Sequence, residues 1–309
     1  MTSDVKIEKL PIEPLDVGTR PHWDAEKQCL YLVDIPNSTV YKYIPSQEKV
    51  VKAKVGNEPL GFMFPVANKS DQFIAGLGRK FCLIKWDGIS SNVSSVETIA
   101  EVDTEPNLSS NRLNCGKIDP FGRLWAGTMG PTGPDGVTIP KMGSLYSLSR
   151  RTIKKHEGNV SISNGCAWNI KTRKMYYIDT LFPGVYEYDY DLNTGDISNR
   201  KVIFEFGKHH IPGLPDGMLI DTEDMLWIAV IHGSRVIRIN PNSGTLLNTI
   251  MLPTPQVTAI CFGDSSLSSM YITTAQIKVD GKIPEPPAGS TYVIRSLSPK
   301  GLVDSNFVL

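Results

Sequence analysis

A diverged repeat constrains this chain more than any other feature. Pro21 to Pro45 reads PHWDAEKQCLYLVDIPNSTVYKYIP, Ser163 to Asp191 reads SNGCAWNIKTRKMYYIDTLFPGVYEYDYD, and Pro215 to Pro241 reads PDGMLIDTEDMLWIAVIHGSRVIRINP. Each has a short strand, a polar turn, an apolar strand ending near a small or acidic residue, a second turn, and an alternating strand. The plan recurs in GKIDPFGRLWAGTMG with GSLYSLS, in VTAICFGDSSLSSMYITTAQ with GSTYVIRS, and more weakly in LGFMFPVANKSDQFIAGLGRKFCLIKWD. Six units therefore begin near 21, 60, 116, 163, 215 and 257. Their spacing of about 39 to 56 residues suits one four-stranded blade each. Outer strands are visible in KVIFEF (201–206), TLLNTIML (245–252) and SSVETIAEV (94–102). The expected fold is all-β, a single six-bladed β-propeller spanning residues 1–309. VKIEKLP (5–11) has strand character but belongs to no complete unit. It is predicted to pair with the last blade and close the ring, which removes the exposed edges. PTGPDGVTIPKMG (131–143) is the one candidate linker for a pair of sandwiches, but it interrupts a repeat and reads as a long loop on one face.

Composition excludes several classes of function. Lys and Arg number 32 against 32 Asp and Glu, so there is no basic surface for nucleic acid or anionic lipid. An apolar fraction of 40 % with 21 % charged residues argues against disorder. No run approaches the roughly 18–20 apolar residues of a membrane helix, and MTSDVKIEKLPIEP lacks the apolar centre of a signal peptide. Cys29, Cys82, Cys115, Cys166 and Cys261 are odd in number and widely spaced, which predicts free thiols in a reducing cytoplasmic setting. Trp23, Trp86, Trp125, Trp168 and Trp227 recur at similar stages of the repeats and read as packing residues rather than base-stacking platforms. A closed ring needs no partner, so a monomer is expected.

In such a ring the first residues of each innermost strand converge on the mouth of a central channel. The corresponding segments are Thr19-Arg20-Pro21, Asn114-Cys115-Gly116, Ser163-Asn164-Gly165 and Pro215-Asp216-Gly217. The Asn-Gly and Asp-Gly pairs read equally well as tight turns between blades. An Asn and an Asp facing one channel would offer oxygen ligands to a hard cation. His209-His210 precedes the GLPDG segment and His22 lies in a PHWD turn; neither has spaced partner ligands.

Long ordered strings carry a family resemblance: PHWD (21–24), SNRLNCGKIDPFGRLWAGTMG (110–130), SNGCAWN (163–169), KMYYIDT (174–180), YEYDYD (186–191) and GLPDGMLIDTEDMLWIAV (213–230). The chain resembles the gluconolactonase, regucalcin (senescence marker protein) and luciferin-regenerating enzyme family, most of all its animal and particularly insect branch. The resemblance implies a six-bladed propeller holding one divalent cation (Ca²⁺, Mg²⁺, Mn²⁺ or Zn²⁺) at the channel mouth. It implies Asn164 and Asp216 as metal ligands, with Asp216 also the catalytic base. Arg112 and Asn114, with Cys115 beside them, take the substrate-binding positions. The implied activity is a metal-dependent hydrolase of the lactonase type or a luciferin-regenerating enzyme, acting on a small molecule, with the metal a Lewis acid on an ester carbonyl.

Two positions depart from the family pattern. Thr19-Arg20-Pro21 stands where Glu-Gly-Pro is expected, the Glu being a metal ligand, and Cys115 stands where an Asp is expected. If Arg20 turns inward it fills the ligand gap with positive charge and opposes a cation. Asp16 and Glu13 are near enough in sequence to substitute for the missing carboxylate. Cys115 reads either as a nucleophile or soft ligand activated by Arg112, or as a small replacement at a site without catalytic demand. The second reading is favoured because no His is placed near it in sequence. The alternative function is a catalytically degraded propeller that binds a small molecule or regulates, with metal affinity weak or lost.

Overall fold

In a computed structural model of the chain, residues 5–133, 136–279 and 281–309 are described. They form six four-stranded antiparallel sheets, each a blade of a propeller. The innermost strands are Gly18–Asp24, Leu60–Pro65, Arg112–Ile118, Ser163–Asn169, Leu214–Ile220 and Val257–Gly263, close to the six starts read from the repeat. Blade 6 is completed from the other end of the chain. Ile7–Lys9 pairs antiparallel with Tyr292–Ile294, Ile7 opposite Ile294, so the expected ring closure is present. The weak outer strand of blade 2 is Ser95–Glu101.

The second strands read as continuous apolar runs because both faces of every blade are covered. Along Cys29–Asp34, Cys29, Tyr31 and Val33 pack toward blade 2, while Leu30 and Leu32 pack toward blade 6. Trp227 and Ala229 likewise face blade 6, and Ile228 and Val230 face blade 4. This is the period of two in a strand. Six apolar clusters result, one in each gap between neighbouring blades. All five tryptophans are buried in these gaps, with Trp125 and Trp227 at 1 % exposure or less, as packing residues should be.

Equivalent side chains tie off the inner strands at the far end of the channel. Asp24, Asp119, Asn169, Asp221 and Asp264 each accept backbone N–H bonds from the turn that follows, for example Phe121 and Arg123 onto Asp119. These are Asx turns. Blade 2 has no such residue after Pro65, and there the C-terminal tail takes over. Phe307 N donates to Pro65 O at 3.0 Å, Ala67 N donates to Phe307 O at 2.7 Å, and the Phe307 ring is fully buried. On its way the tail touches blades 5 and 6 through Gly301. Asn306 lies 3.2 Å from His22 Nε2. The tail therefore covers the far end of the channel.

The insertion after Met129 is a loop on the mouth face, as its interrupted repeat predicts; residues 134 and 135 within it lie outside the described residues. A second long connection, residues 275–291, leaves blade 6 on the same face. Across the mouth the two approach one another, a Cβ at Gly136 falling 4.0 Å from Lys278 O.

Candidate functional site

All six innermost strands slip register near their first residues: Thr19/His22, Leu60/Phe62, Leu113/Cys115, Ser163/Cys166, Pro215/Met218 and Val257/Ala259. A bulge re-aims the side chains at that point. The residues inside the bulges include Arg20, Gly61, Asn114, Asn164, Asp216 and Thr258, which together ring the mouth. The Asn-Gly and Asp-Gly pairs are thus strand bulges, not turns between blades, and His22 lies in a strand too. The glycines serve close approach. A Cβ on Gly165 would meet Met218 N at 2.6 Å, and one on Gly217 would meet the Ala259 Cα at 2.7 Å.

In blades 1 and 4 a carboxylate at the end of the second strand fixes where the bulge begins. Asp34 accepts from the N–H groups of Asp16 and Val17 (3.2 and 2.9 Å), just ahead of Arg20. Asp179 accepts from Ser161 and Ile162 (both 2.9 Å), just ahead of Asn164. Asp16 is further engaged with Asn37 and Gln276, and Glu13 with Lys52 and Tyr41. Neither replaces the missing carboxylate.

Arg20 turns inward. Its backbone is left-handed, φ 51°, and the residue is 8 % exposed. Nη2 donates to Asn164 Oδ1 and lies 3.5 Å from Asp216 Oδ1. The guanidinium thus sits on both residues the resemblance assigns to a metal. Asn164 Nδ2 donates to Thr180 Oγ1 (2.8 Å), which donates to Pro215 O (2.9 Å), and this fixes the amide with its oxygen toward Arg20. Burial pushes the Asp216 carboxyl up to about 7. The Arg20 charge and the Asn164 bond oppose that rise, and Cys115 adds to it.

The substrate-binding candidates also come together. Arg112 Nη1 donates to Asn114 Oδ1 (2.8 Å) and to Leu113 O (3.3 Å), and Asn114 Nδ2 donates to Ser163 O (3.0 Å). Burial, with Arg20 nearby, lowers the Arg112 pKa to about 10. Cys115 Sγ lies 3.2 Å from Ser163 Oγ, which accepts from Tyr177 Oη at 2.8 Å. Burial pushes the Cys115 thiol up, but bonds from Cys166 and Ser163, the Arg20 charge and the Gly127 N–H outweigh it and bring it below the ordinary range. Its coupled neighbour Cys166 is pushed up. The cation acting on Cys115 is therefore Arg20, not the expected Arg112. His209 is taken up by a stack on Phe204, centroids 4.3 Å apart.

A divalent cation needs several oxygen ligands, usually including more than one carboxylate. Among the described residues no group of three or more His, Cys, Asp or Glu converges on one point, and Asn164 and Asp216 already hold a guanidinium. As arranged, these residues do not fit a divalent cation. Sequence reasoning missed Thr258, whose Oγ1 donates to Gly18 O at 2.5 Å and joins blade 6 to blade 1 beside the mouth. Its only signal was its place at the start of the sixth repeat.

The fold and the ring define a class, a six-bladed propeller with polar side chains gathered at one end of its channel. The chain belongs to the SMP-30/gluconolactonase/LRE-like family, whose model matches residues 17–276. It is 37 % identical to regucalcin of Bos taurus over 303 residues, 97 % of each chain. It is equally close to regucalcin of Xenopus laevis over 309 residues, 99 % of each. A luciferin-regenerating enzyme of known structure superposes with a TM-score of 0.92 at 40 % identity, covering 99 % of this chain and 100 % of that one. A calcium-binding regucalcin from Agrobacterium tumefaciens, 20 % identical with a TM-score of 0.85 over 99 % and 98 % of the two chains, shares the fold. No helix among the described residues is long and apolar enough to cross a membrane.

Proposed function

We propose that the channel mouth binds a small molecule and that Arg20 stands permanently where the family resemblance implies a divalent cation. On this reading the chain is a cation-independent member of its family. The observation that carries the reading is the Arg20 guanidinium on both Asn164 and Asp216. At 3.5 Å from a buried carboxylate, its charge competes with any metal for the same oxygens. Calorimetric titration of the chelator-treated protein with Ca²⁺, Mg²⁺, Mn²⁺ and Zn²⁺ tests it. No uptake at the mouth is expected. Micromolar binding that disappears in Asp216→Ala overturns the reading and returns the chain to the metal-dependent hydrolases.

A second reading, hydrolysis of a lactone or related ester, is supported by the family name and by Asp216. With its pKa near 7, the carboxylate is partly ionised at neutral pH and basic enough to take a proton from an attacking water. Arg112, on the inner strand of blade 3 at the same mouth, would stabilise the developing oxyanion. No step requires a metal. This reading expects glucono-lactone hydrolysis that chelators leave unchanged, that rises with pH through about 7, and that falls at least about 100-fold in Asp216→Asn. Absence of any hydrolysis leaves the binding reading alone.

A further inference from the structure

The mouth carries two buried or half-buried guanidinium groups, Arg20 and Arg112, against a single carboxylate, Asp216. That carboxylate is committed to Arg20. Arg112 has no ion pair among the described residues; one of its nitrogens donates to two neutral oxygens, Leu113 O and Asn114 Oδ1. Arg20 Nε is buried without a hydrogen-bond partner among the described residues. Proteins rarely leave such groups uncompensated, because a buried cation is costly unless paired and a buried donor is costly unless bonded. The two loops at the rim expose apolar side chains among charged ones such as Lys278, Lys282 and Glu285. Val137 and Ile139 on one loop, and Ile277, Val279 and Ile283 on the other, are between 38 and 63 % exposed, and the two loops approach one another over the channel at Gly136 and Lys278.

We propose that the site selects a small organic anion, a carboxylate on an apolar body, with the Arg112 fork holding the carboxylate and the loop residues covering the body. This rests on the reading of the mouth as a small-molecule site and names its ligand class. A planar guanidinium matches a carboxylate in two-point geometry, and a partly desolvated setting strengthens the pair. The negative charge of the ligand supplies what a second carboxylate of the chain would otherwise supply.

The test is calorimetric binding of phenylacetate and of phenylacetamide, equal in shape but differing in charge, to the full chain. The proteins compared are the wild type, Arg112→Gln, Arg112→Lys and Asn114→Phe, the last filling the mouth; a melting curve checks that each folds. Phenylacetate should bind at least about 10-fold more tightly than the amide. Arg112→Gln should remove that preference, and Arg112→Lys should keep part of it, since the charge remains and the fork does not. Acid and amide binding alike, both lost in Asn114→Phe, would overturn charge selection and leave the mouth as the site. Binding indifferent to Asn114→Phe would overturn the site as well. No binding of phenylacetate at about 10 mM, equivalent to less than about 3 kcal/mol, also overturns the proposal.

Discussion

Replacing Arg20 by glycine removes the cation from the ring and leaves Asp216 buried beside Asn164. Removing one partner of a buried ion pair costs about 3–5 kcal/mol. Two effects offset it. Arg20 holds a left-handed backbone, φ 51°, which costs an L-residue about 1–2 kcal/mol and glycine almost nothing. The buried, unpartnered Nε also disappears, a gain of about 1 kcal/mol. Asp216, already near 7, then moves higher and takes up a proton, which caps the penalty. The net loss is at most about 3 kcal/mol, or up to roughly 5 °C in Tm for a chain of this size. The vacated position should then accept a cation. Ca²⁺ at about 100 times its Kd would restore about 2.7 kcal/mol, and the same addition should leave the wild type unmoved. Melting curves of both proteins, with and without Ca²⁺, decide the matter. Equal stabilisation of wild type and variant by Ca²⁺, or a variant identical to wild type in both conditions, refutes the placement of the guanidinium on Asp216.

Other consequences are open to direct measurement. Phe307→Ala empties a fully buried ring site between the tail and blade 2 and should cost about 3–5 kcal/mol, read as a lower urea midpoint. Gly165→Ala puts a Cβ 2.6 Å from Met218 N and should destabilise by about 1–3 kcal/mol. An alanine variant as stable as wild type would mean that the inner strands of blades 4 and 5 are farther apart. His156 stacks on Trp125 and has its pKa lowered to about 4, by burial first and then by Lys154. Its unfolded pKa is about 6.5, so the unfolded chain takes the proton first as pH falls. The stability His156 contributes is complete above about pH 7 and is lost between about 6.5 and 4. Allowing for its partial exposure, that amounts to about 1–2 kcal/mol. The difference in unfolding free energy between wild type and His156→Gln, from urea melts, should shrink by most of this amount between about pH 7 and about pH 4.5.

The repeat was legible because propeller strands buried on both faces become short apolar runs, and the polar turns between them keep a regular spacing. Ring closure by residues 5–11 was legible for the same reason, as a strand without a blade. Candidate site residues were legible as positions: Arg112, Asn114, Cys115, Asn164 and Asp216 do gather at one mouth. The hydrogen bonds among them were not. Whether Arg20 points inward depends on one left-handed backbone angle within a bulge, and no residue type announces it. The Asn-Gly and Asp-Gly pairs left two readings open because glycine serves close approach and turns equally well. The tail was silent because its partners, Pro65 and Ala67, lie far away in sequence and contribute backbone groups, which every residue possesses.

Blade 6 takes its outer strand from Ile7–Lys9 and the other three from residues 257–294. During synthesis, then, Ile7–Lys9 leaves the ribosome long before the strand it must join, Tyr292–Ile294. At roughly 5–20 residues per second, that interval is on the order of 15–60 seconds. Throughout it five blades can form while the growing ring stays open, its two end faces apolar and one strand unpaired. Folding of this chain is thus a closure event with a built-in delay. A destabilised Ile7–Lys9 pairing should therefore lower the yield of native protein in the cell more than it lowers the stability of molecules that have already closed.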